Sequence, residues 1–290
     1  MQAHDAQVCG WRKLHLFKAN SKHKSTTMKS KFALFIVLGW CFSWPLAAIS
    51  ADLPNAQPSP NASQVASIDP TAEKLLESAC KAITSANAFT FHAEVLFDHV
   101  LPSNVKVQFA AEMKFVLQRP GELMVDYHSD LGAKQLWYRN GTLTIYDPPH
   151  SVYSTIAVPD SIDAMLEQVA KTQNLSIPLS NLAYSDLCER LHRQIIYGAY
   201  IGVNDVNGVE CDHLAFSSST ADLQVWLDRS GKPLPRKVVI NYRSEPSSPE
   251  YIATLSDWKF PAQIASSEFE PHMPKSAKQI EFITAKEVRK

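Results

Sequence analysis

Two consecutive segments of the chain alternate apolar and polar residues over the length of two long strands. Apolar residues occupy every second position from Phe89 to Phe97, and again from Val105 to Leu117. Successive side chains of a strand point to opposite faces of a sheet, so this period of two predicts strands with one apolar face and one polar face. The residues from Pro102 to Asn104 can form the turn of a hairpin between them. A chain with this pattern must bury one face of an antiparallel sheet.

The same alternation returns later in the chain. The stretch from Gly208 to Trp258 contains three segments with period two, and shorter segments lie between Leu123 and Ala157. Asn140-Gly141 and Asn207-Gly208 tolerate the positive φ angles of a two-residue type I′ turn. Short closing strands are predicted near residues 267–269 and 279–283. These patterns predict an antiparallel meander.

Three helices are predicted to accompany the sheet. The first begins at Asp69-Pro70, where an N-cap residue precedes a proline, and ends near Asn87. The second is capped by Asp160 and has apolar residues at helical spacing. The third runs from about Leu182 to Ile195. Together with the strands, the helices predict an α+β fold.

The beginning of the chain has the form of a secretory signal peptide. A basic stretch precedes an apolar run from Phe32 to Trp44, and small residues follow it up to Ala51. We therefore predict a signal peptide at residues 28–51 that starts at Met28 and is cleaved after Ser50 or Ala51. Residues 1–27 are then an upstream extension, or else part of an unusually long basic region. An uncleaved anchor is the alternative, but the small residues favour cleavage, export to the periplasm and no membrane span after processing.

The remaining sequence divides into a linker, one domain and a short tail. Residues 52–68 carry three prolines among Asn, Ser, Gln and Ala, which is typical of a flexible linker. Residues 69–284 are predicted to form a single domain, and residues 285–290 a C-terminal tail. A length of 290 residues allows this organisation.

The charge of the exported part restricts its partners. Seven of the 28 basic residues but one of the 29 acidic residues precede Phe32, which leaves a formal charge of about −7 on the remainder. An acidic chain without a cluster of Lys and Arg offers no nucleic-acid site and is repelled by an anionic membrane surface. A lipid partner must therefore be held by apolar contacts.

Three cysteines follow the signal peptide: Cys80, Cys188 and Cys211. An odd number permits at most one intramolecular disulfide and leaves a free thiol. Cys211 lies in an alternating segment and is predicted to be a buried thiol, with a bridge between Cys188 and Cys211 as the alternative.

Signatures of catalysis and of metal or cofactor binding do not occur in the sequence. HExxH, GxSxG, GxxxxGK[ST] and GxGxxG are all missing. Asp98-His99 and Asp212-His213 resemble acid/base pairs, but neighbours in a strand point to opposite faces, so neither pair can share a site. We predict a protein that is not an enzyme and has no metal or cofactor. A hydrolase with an unfamiliar site is kept as a third alternative for the function.

Four separated segments resemble a known family. They are 139–147 (RNGTLTIYD), 208–216 (GVECDHLAF), 233–237 (PLPRK) and 253–258 (ATLSDW). In this order they resemble the bacterial predicted periplasmic proteins of domain of unknown function 2092, over about Asp69 to Phe282. That family is similar in outline to the lipoprotein-carrier (LolA/LolB-like) superfamily. The resemblance implies a strongly curved antiparallel sheet, an incomplete β-barrel, with helices packed on its concave side, and it supplies no catalytic residue.

The apolar faces of the two long strands are the predicted ligand-binding site. The residues proposed to line it are Phe91, Phe97, Phe109, Met113 and Phe115. In a barrel that is left partly open, such a face either packs against helices as plain core or lines a cavity. The predicted function is to carry or sense an apolar ligand, such as a lipid, an acyl chain or a lipidated protein. The alternative is a periplasmic module that docks a protein partner or acts as a sensor through the same sheet.

Overall fold

The structure is a computed structural model that describes residues 67–282. This part of the chain contains twelve strands in one sheet and three α-helices. The helices are α1 (Pro70–Thr84), α2 (Ile162–Thr172) and α3 (Leu187–Gln194). The strands are β1 (Ala88–Val100), β2 (Lys106–Gln118), β3 (Glu122–Ser129), β4 (Gly132–Arg139), β5 (Thr142–Asp147), β6 (Val152–Ala157), β7 (Tyr197–Val206), β8 (Val209–Ser217), β9 (Asp222–Asp228), β10 (Pro235–Asn241), β11 (Glu250–Lys259) and β12 (Lys278–Gln279).

The sheet consists of two antiparallel meanders that share a central seam. Its strand order is β12-β6-β5-β4-β3-β2-β1-β11-β10-β9-β8-β7. The seam is the pairing of β1 with β11, which aligns Phe97 with Tyr251. The short pair of β12 with β6 is parallel, and the other pairs are antiparallel. The sheet is curved and does not close into a barrel, so the predicted fold class is confirmed.

The predicted hairpins are present. β1 and β2 pair in continuous register from Ala88 opposite Gln118 to Val100 opposite Lys106. Both residues of Asn140-Gly141 have positive φ, at 50° and 67°, and the turn at Asn207-Gly208 has φ values of 52° and 82°. These are the signs that a type I′ turn requires.

Helix α1 begins where the sequence predicts. The Asp69 carboxylate accepts hydrogen bonds from the backbone N–H groups of Thr71 and Ala72, and Pro70 occupies the first helical position. Helix α2 is capped by Ser161 and not by Asp160, because the Ser161 hydroxyl accepts from the Ala164 N–H at 3.3 Å. None of the helices in residues 67–282 is long and apolar enough to cross a bilayer.

Two further predictions of secondary structure were wrong. The helix expected from Leu182 is divided into a 3-10 turn at Ser180–Ala183 and α3, because the Ser185 N–H donates to the Asp163 carboxylate on α2 and so leaves the helical pattern. The strand expected near residue 267 is a 3-10 helix, Ser266–Phe269.

The main core lies between the concave face of the sheet and the helices. Phe89, Phe115, Leu117, Leu123 and Tyr138 of the sheet are fully buried there. Helices contribute Leu76, Ala79, Ile83, Ile162, Met165, Leu166, Val169 and Leu187.

A second, smaller cluster lies on the opposite face of the same sheet. Val116, Met124, Trp137 and Tyr146 pack there with Phe269 of the C-terminal segment. This part of the outer face is therefore covered, whereas the alternation predicted that it would be polar and exposed. Val116 gives the physical reason, because it makes residues 115–117 apolar on both faces.

Candidate functional site

Five apolar side chains form a line across the concave face at one end of the sheet. In cross-strand order they are Phe109, Phe97, Tyr251, Ile240 and Leu223, on β2, β1, β11, β10 and β9. Each is half-buried, and the rings of Phe97 and Phe109 are 6.0 Å apart. We call these five residues the rim row. Because they are neither fully packed nor fully exposed, they form the edge of the apolar interior.

The face becomes fully buried two residues further along the strands. Val95, Ala111 and Ala253 follow the rim row, at 2%, 8% and 0% exposure. Their side chains are small, as is that of Ala93 in the next position on β1. On β1, two small side chains therefore separate Phe97 of the rim row from the deeper Phe91.

A stacked aromatic group forms the deep part of this face. The Phe91 and Phe115 rings are 4.8 Å apart with an angle of 10° between their planes, and Trp258 lies 4.7 Å from Phe91. The Trp258 indole N–H donates to the Pro235 carbonyl at 3.0 Å. Lys232 Nζ lies 4.0 Å from the centre of the Phe260 ring, which stacks on Trp258. Dispersion and aromatic contacts hold this group in one arrangement.

The five residues predicted to bind a ligand lie on one face but in two environments. Phe91, Met113 and Phe115 are buried in the core at 2%, 1% and 0% exposure. Phe97 and Phe109 are half-buried in the rim row. Contact of any of the five with a ligand stays a prediction, and the structure makes Phe97 and Phe109 the accessible members.

Sequence analysis missed the other members of the rim row. These are Tyr251, Ile240 and Leu223, which lie more than 100 residues from Phe109. The alternation of their strands predicts which face they lie on, but it does not predict how those strands align with β1. Trp258 was missed for a different reason. Asp257 has a φ of 53°, and the pairing of β1 with β11 shifts register at this point. This irregularity turns Trp258 to the concave face, out of the period of two.

Helices α1 and α3 cover the concave face. Helix α1 starts at the edge strand β7, where the Asp69 N–H donates to the Gly198 carbonyl and the Gly198 N–H donates to the Ser67 carbonyl. After the end of α1, Arg119 donates to the carbonyls of Ala86 and Ala183 at 3.3 and 2.7 Å. These bonds fix the start of α1 to β7 and link the residues after it to the segment before α3.

A buried ion pair lies on the concave side of β4 and β5. Lys134 donates to the Asp147 carboxylate, and their side chains are 12% and 1% exposed. His150 Nδ1 also lies 3.0 Å from this carboxylate. Burial by itself raises the pKa of Asp147, but the hydrogen bonds from Lys134 and His150 outweigh it and hold the pKa below its ordinary value. These contacts compensate the charge of the buried carboxylate.

The acid/base candidates Asp98-His99 and Asp212-His213 are both pairs of neighbours in a strand, and their acidic members make other contacts. Asp212 accepts from the Tyr200 hydroxyl at 3.0 Å, whereas His213 stacks on Trp226 with ring centres 4.0 Å apart. Burial, aided by the Lys237 charge, lowers the pKa of His213. The Asp98 carboxylate accepts from the Glu250 N–H and pairs with Lys106. Each acidic group is therefore engaged in structural contacts.

Three side chains between α1 and α3 could hold a metal ion. These are Glu73, Glu77 and His192, whose candidate ligand atoms all lie within 4.8 Å of one another. His192 Nδ1 lies 2.8 Å from the Cys188 carbonyl, which directs Nε2 towards the two carboxylates. The three groups are partly exposed.

Comparison with solved structures gave several distant similarities. LprF from Mycobacterium bovis is 13% identical with a TM-score of 0.43, and the match covers 69% of this chain and 98% of that one. LppX, a lipoprotein of Mycobacterium tuberculosis, is 10% identical with a TM-score of 0.40, over 68% and 100% of the two chains. A LolA superfamily protein from Nitrosomonas europaea is 11% identical with a TM-score of 0.36, over 69% and 97%. Similarity at this level gives no information on ligands or partners.

Sequence comparisons gave a more definite result. A search of curated proteins found no match. The model of one protein family, described as predicted periplasmic protein, matches residues 72–283. Since this match spans well over half of the chain, the protein belongs to the DUF2092 family of predicted periplasmic proteins.

Proposed function

We propose that this protein is an exported binding protein that holds an apolar ligand against the rim row without chemical turnover. The observation that carries this proposal is the line of five half-buried apolar side chains from Phe109 to Leu223. Contiguous apolar surface at the mouth of a concave face is the usual form of a site for an apolar molecule. The ligand class is a lipid, an acyl chain or a lipidated protein.

The dimensions of the rim row suit an extended chain. The row crosses five strands, so at the ordinary spacing between strands it is about 19 Å long. Behind it lie the buried side chains of Val95, Ala111 and Ala253, which a chain reaches only when the helices above them move. The exported part has a net negative charge, which favours binding by apolar contact over attraction to anionic headgroups.

Export is the second component of this proposal. It is supported by the signal-peptide pattern at residues 28–51, which lie outside the described residues, and by membership of a family of predicted periplasmic proteins. N-terminal sequencing of the protein from a periplasmic fraction is expected to give a start close to Ala51 or Asp52. A soluble chain that still begins at Met1 or Met28 would contradict export.

Native mass spectrometry after gentle purification, together with titration of a fluorescent fatty acid, tests the binding function. We expect a co-purifying lipid mass and saturable binding of the fatty acid. A co-purifying protein without lipid would instead support the docking module. A purified protein that binds no apolar probe would overturn the proposal.

A further inference from the structure

Two cysteine side chains meet where α1 packs against α3. Cys80 on α1 is 2% exposed, and Cys188 on α3 is half-buried. Both belong to the same packed cluster, the Cys188 side chain is close enough to raise the pKa of the Cys80 thiol, and both thiols are free in this structure. No local pattern pairs these two residues, since they are separated by more than 100 positions.

The contact belongs to the regular packing of two antiparallel helices. On α1, Cys80 follows Glu77 by three residues, and on α3, Cys188 precedes His192 by four, so each pair lies on one helix face. His192 Nε2 lies 3.9 Å from both the Glu73 and the Glu77 carboxylates. Those contacts fix the register of the two helices, and that register places Cys80 opposite Cys188.

Cys211 provides a natural comparison within the same chain. It is 0% exposed on β8, and its thiol donates to the Val209 carbonyl at 3.4 Å. Cys80 and Cys188 belong to the main core cluster, whereas Cys211 is not among the residues of that cluster. The alternative bridge of Cys188 to Cys211 therefore has less support than a bridge from Cys188 to Cys80.

We propose that Cys80 and Cys188 form a disulfide in an oxidising compartment and that this bridge fastens α1 to α3 across the concave face. The proposal requires that the protein is exported, because the periplasm supplies the oxidising surroundings. Its consequence for ligand exchange rests on the proposed binding function. An odd number of exported cysteines is then accounted for by one bridge and one buried thiol.

The oxidant is a disulfide-containing molecule, such as glutathione disulfide or an exported dithiol–disulfide oxidase. The more accessible Cys188 thiolate attacks a sulfur of that disulfide, which forms a mixed disulfide and releases one thiolate of the oxidant. The Cys80 thiolate then attacks the Cys188 sulfur and displaces the second thiolate. Two electrons pass to the oxidant and two protons leave the protein. Burial, reinforced by the contact with Cys188, raises the pKa of Cys80, so closure becomes faster as the pH rises.

The bridge would limit how far the covering helices separate from each other. Leu76, Ala79 and Ile83 of α1 and Leu187 of α3 belong to the same buried cluster as the concave face. An apolar chain that enters behind the rim row must displace some of these contacts. Oxidation should therefore slow the exchange of a bound ligand, and reduction should speed it.

Oxidation of the purified protein with glutathione disulfide, followed by alkylation in denaturant and mass spectrometry, tests the bridge. We expect the loss of two hydrogen atoms from the intact mass, a peptide that links Cys80 to Cys188, and alkylation of Cys211 alone. Cys211→Ser should bridge like the wild type, whereas Cys80→Ser should not. Alkylation of all three wild-type cysteines, or a bridge that includes Cys211, would overturn the proposal.

The effect on the site is measured separately. Dissociation of a fluorescent fatty acid is followed by stopped flow for the oxidised and the reduced wild type, with Cys188→Ser as a control that does not respond to oxidant. We expect dissociation to be several-fold slower in the oxidised protein. If the bridge forms but the rate is unchanged, the restraint on ligand exchange is wrong and the disulfide stands. If the bridge forms but neither form binds the probe, the proposed function is what fails.

Discussion

Phe97 on β1 and Phe109 on β2 face each other across the sheet with their rings 6.0 Å apart, and both are half-buried. Six residues along the same strands, Phe91 and Phe115 make an equivalent pair that is fully buried and stacked at 4.8 Å. One alternating pattern thus produces a core pair and a rim pair. Both pairs lie directly opposite each other on β1 and β2. Substitutions at the two pairs can therefore distinguish effects on the stability of the fold from effects on ligand binding.

The two pairs should differ strongly in their contribution to stability. Phe115→Ala removes a buried ring and is expected to lower the free energy of unfolding by about 3–5 kcal/mol. Phe109→Ala removes a ring that is already partly hydrated and should cost less than about 2 kcal/mol. Urea denaturation of both variants measures the difference. Equal losses would show that Phe109 is an ordinary core residue.

The Lys134–Asp147 pair should be costly to break from one side. Lys134→Met leaves the buried Asp147 carboxylate without its ammonium partner, and we expect a loss of about 3–5 kcal/mol in the free energy of unfolding. The double variant Lys134→Met, Asp147→Leu should recover most of that loss, because no unpaired charge remains. Chemical denaturation of the two variants checks this. A double variant no more stable than the single one would contradict it.

The same pair predicts a pH dependence. Because the pKa of Asp147 is depressed in the folded protein, its contribution to stability is complete above the unfolded pKa of about 3.9 and is lost as the pH falls through the folded pKa. Asp147→Asn should therefore be less stable than the wild type near neutral pH, with a difference that shrinks below about pH 4. Urea midpoints across this pH range measure it. A constant difference between the two proteins would argue against the shift.

Gly198 should be required where the chain enters α1. A Cβ atom at this position would lie 2.8 Å from both Ile68 Cγ2 and the Phe216 ring. Gly198→Ala is expected to cost about 1–3 kcal/mol, because the segment before α1 must move away from β7. Gly231→Ala is the matched control, since a Cβ there meets no atom within 4 Å. Similar thermal midpoints for the two variants would refute this role of Gly198.

Much of the fold could be predicted from local patterns. The period of two predicted β1 and β2 with their hairpin, Asn-Gly dipeptides predicted two type I′ turns, and Asp69-Pro70 predicted the start of α1. Separated motifs predicted the family, and the family match confirms it. Each of these signals depends on residues that are close in sequence or on a motif of fixed order.

The remainder depends on contacts that local patterns do not contain. The pairing of β1 with β11 joins residues far apart in the chain, so the rim row could not be assembled from alternation alone. The positive φ of Asp257 reverses the face on which Trp258 lies. The Asp163 carboxylate interrupts the predicted third helix through a tertiary hydrogen bond to Ser185. For the same reason, alternation placed all five predicted residues on one face. It did not show that Phe91, Met113 and Phe115 are buried in the core while Phe97 and Phe109 are half-buried.

The most direct test of the account compares Phe97→Asp with Leu96→Asp. The two residues are neighbours on β1, but Phe97 lies in the rim row, whereas Leu96 lies on the outer face and is 41% exposed. Both variants should fold, because a carboxylate at either position reaches water. We expect Phe97→Asp to weaken binding of a fluorescent fatty acid at least about tenfold, since a charge in an apolar site costs more than the roughly 1.4 kcal/mol that a tenfold change represents. Leu96→Asp should bind like the wild type, and equal affinities for the two variants would contradict the assignment of the ligand site to the rim row.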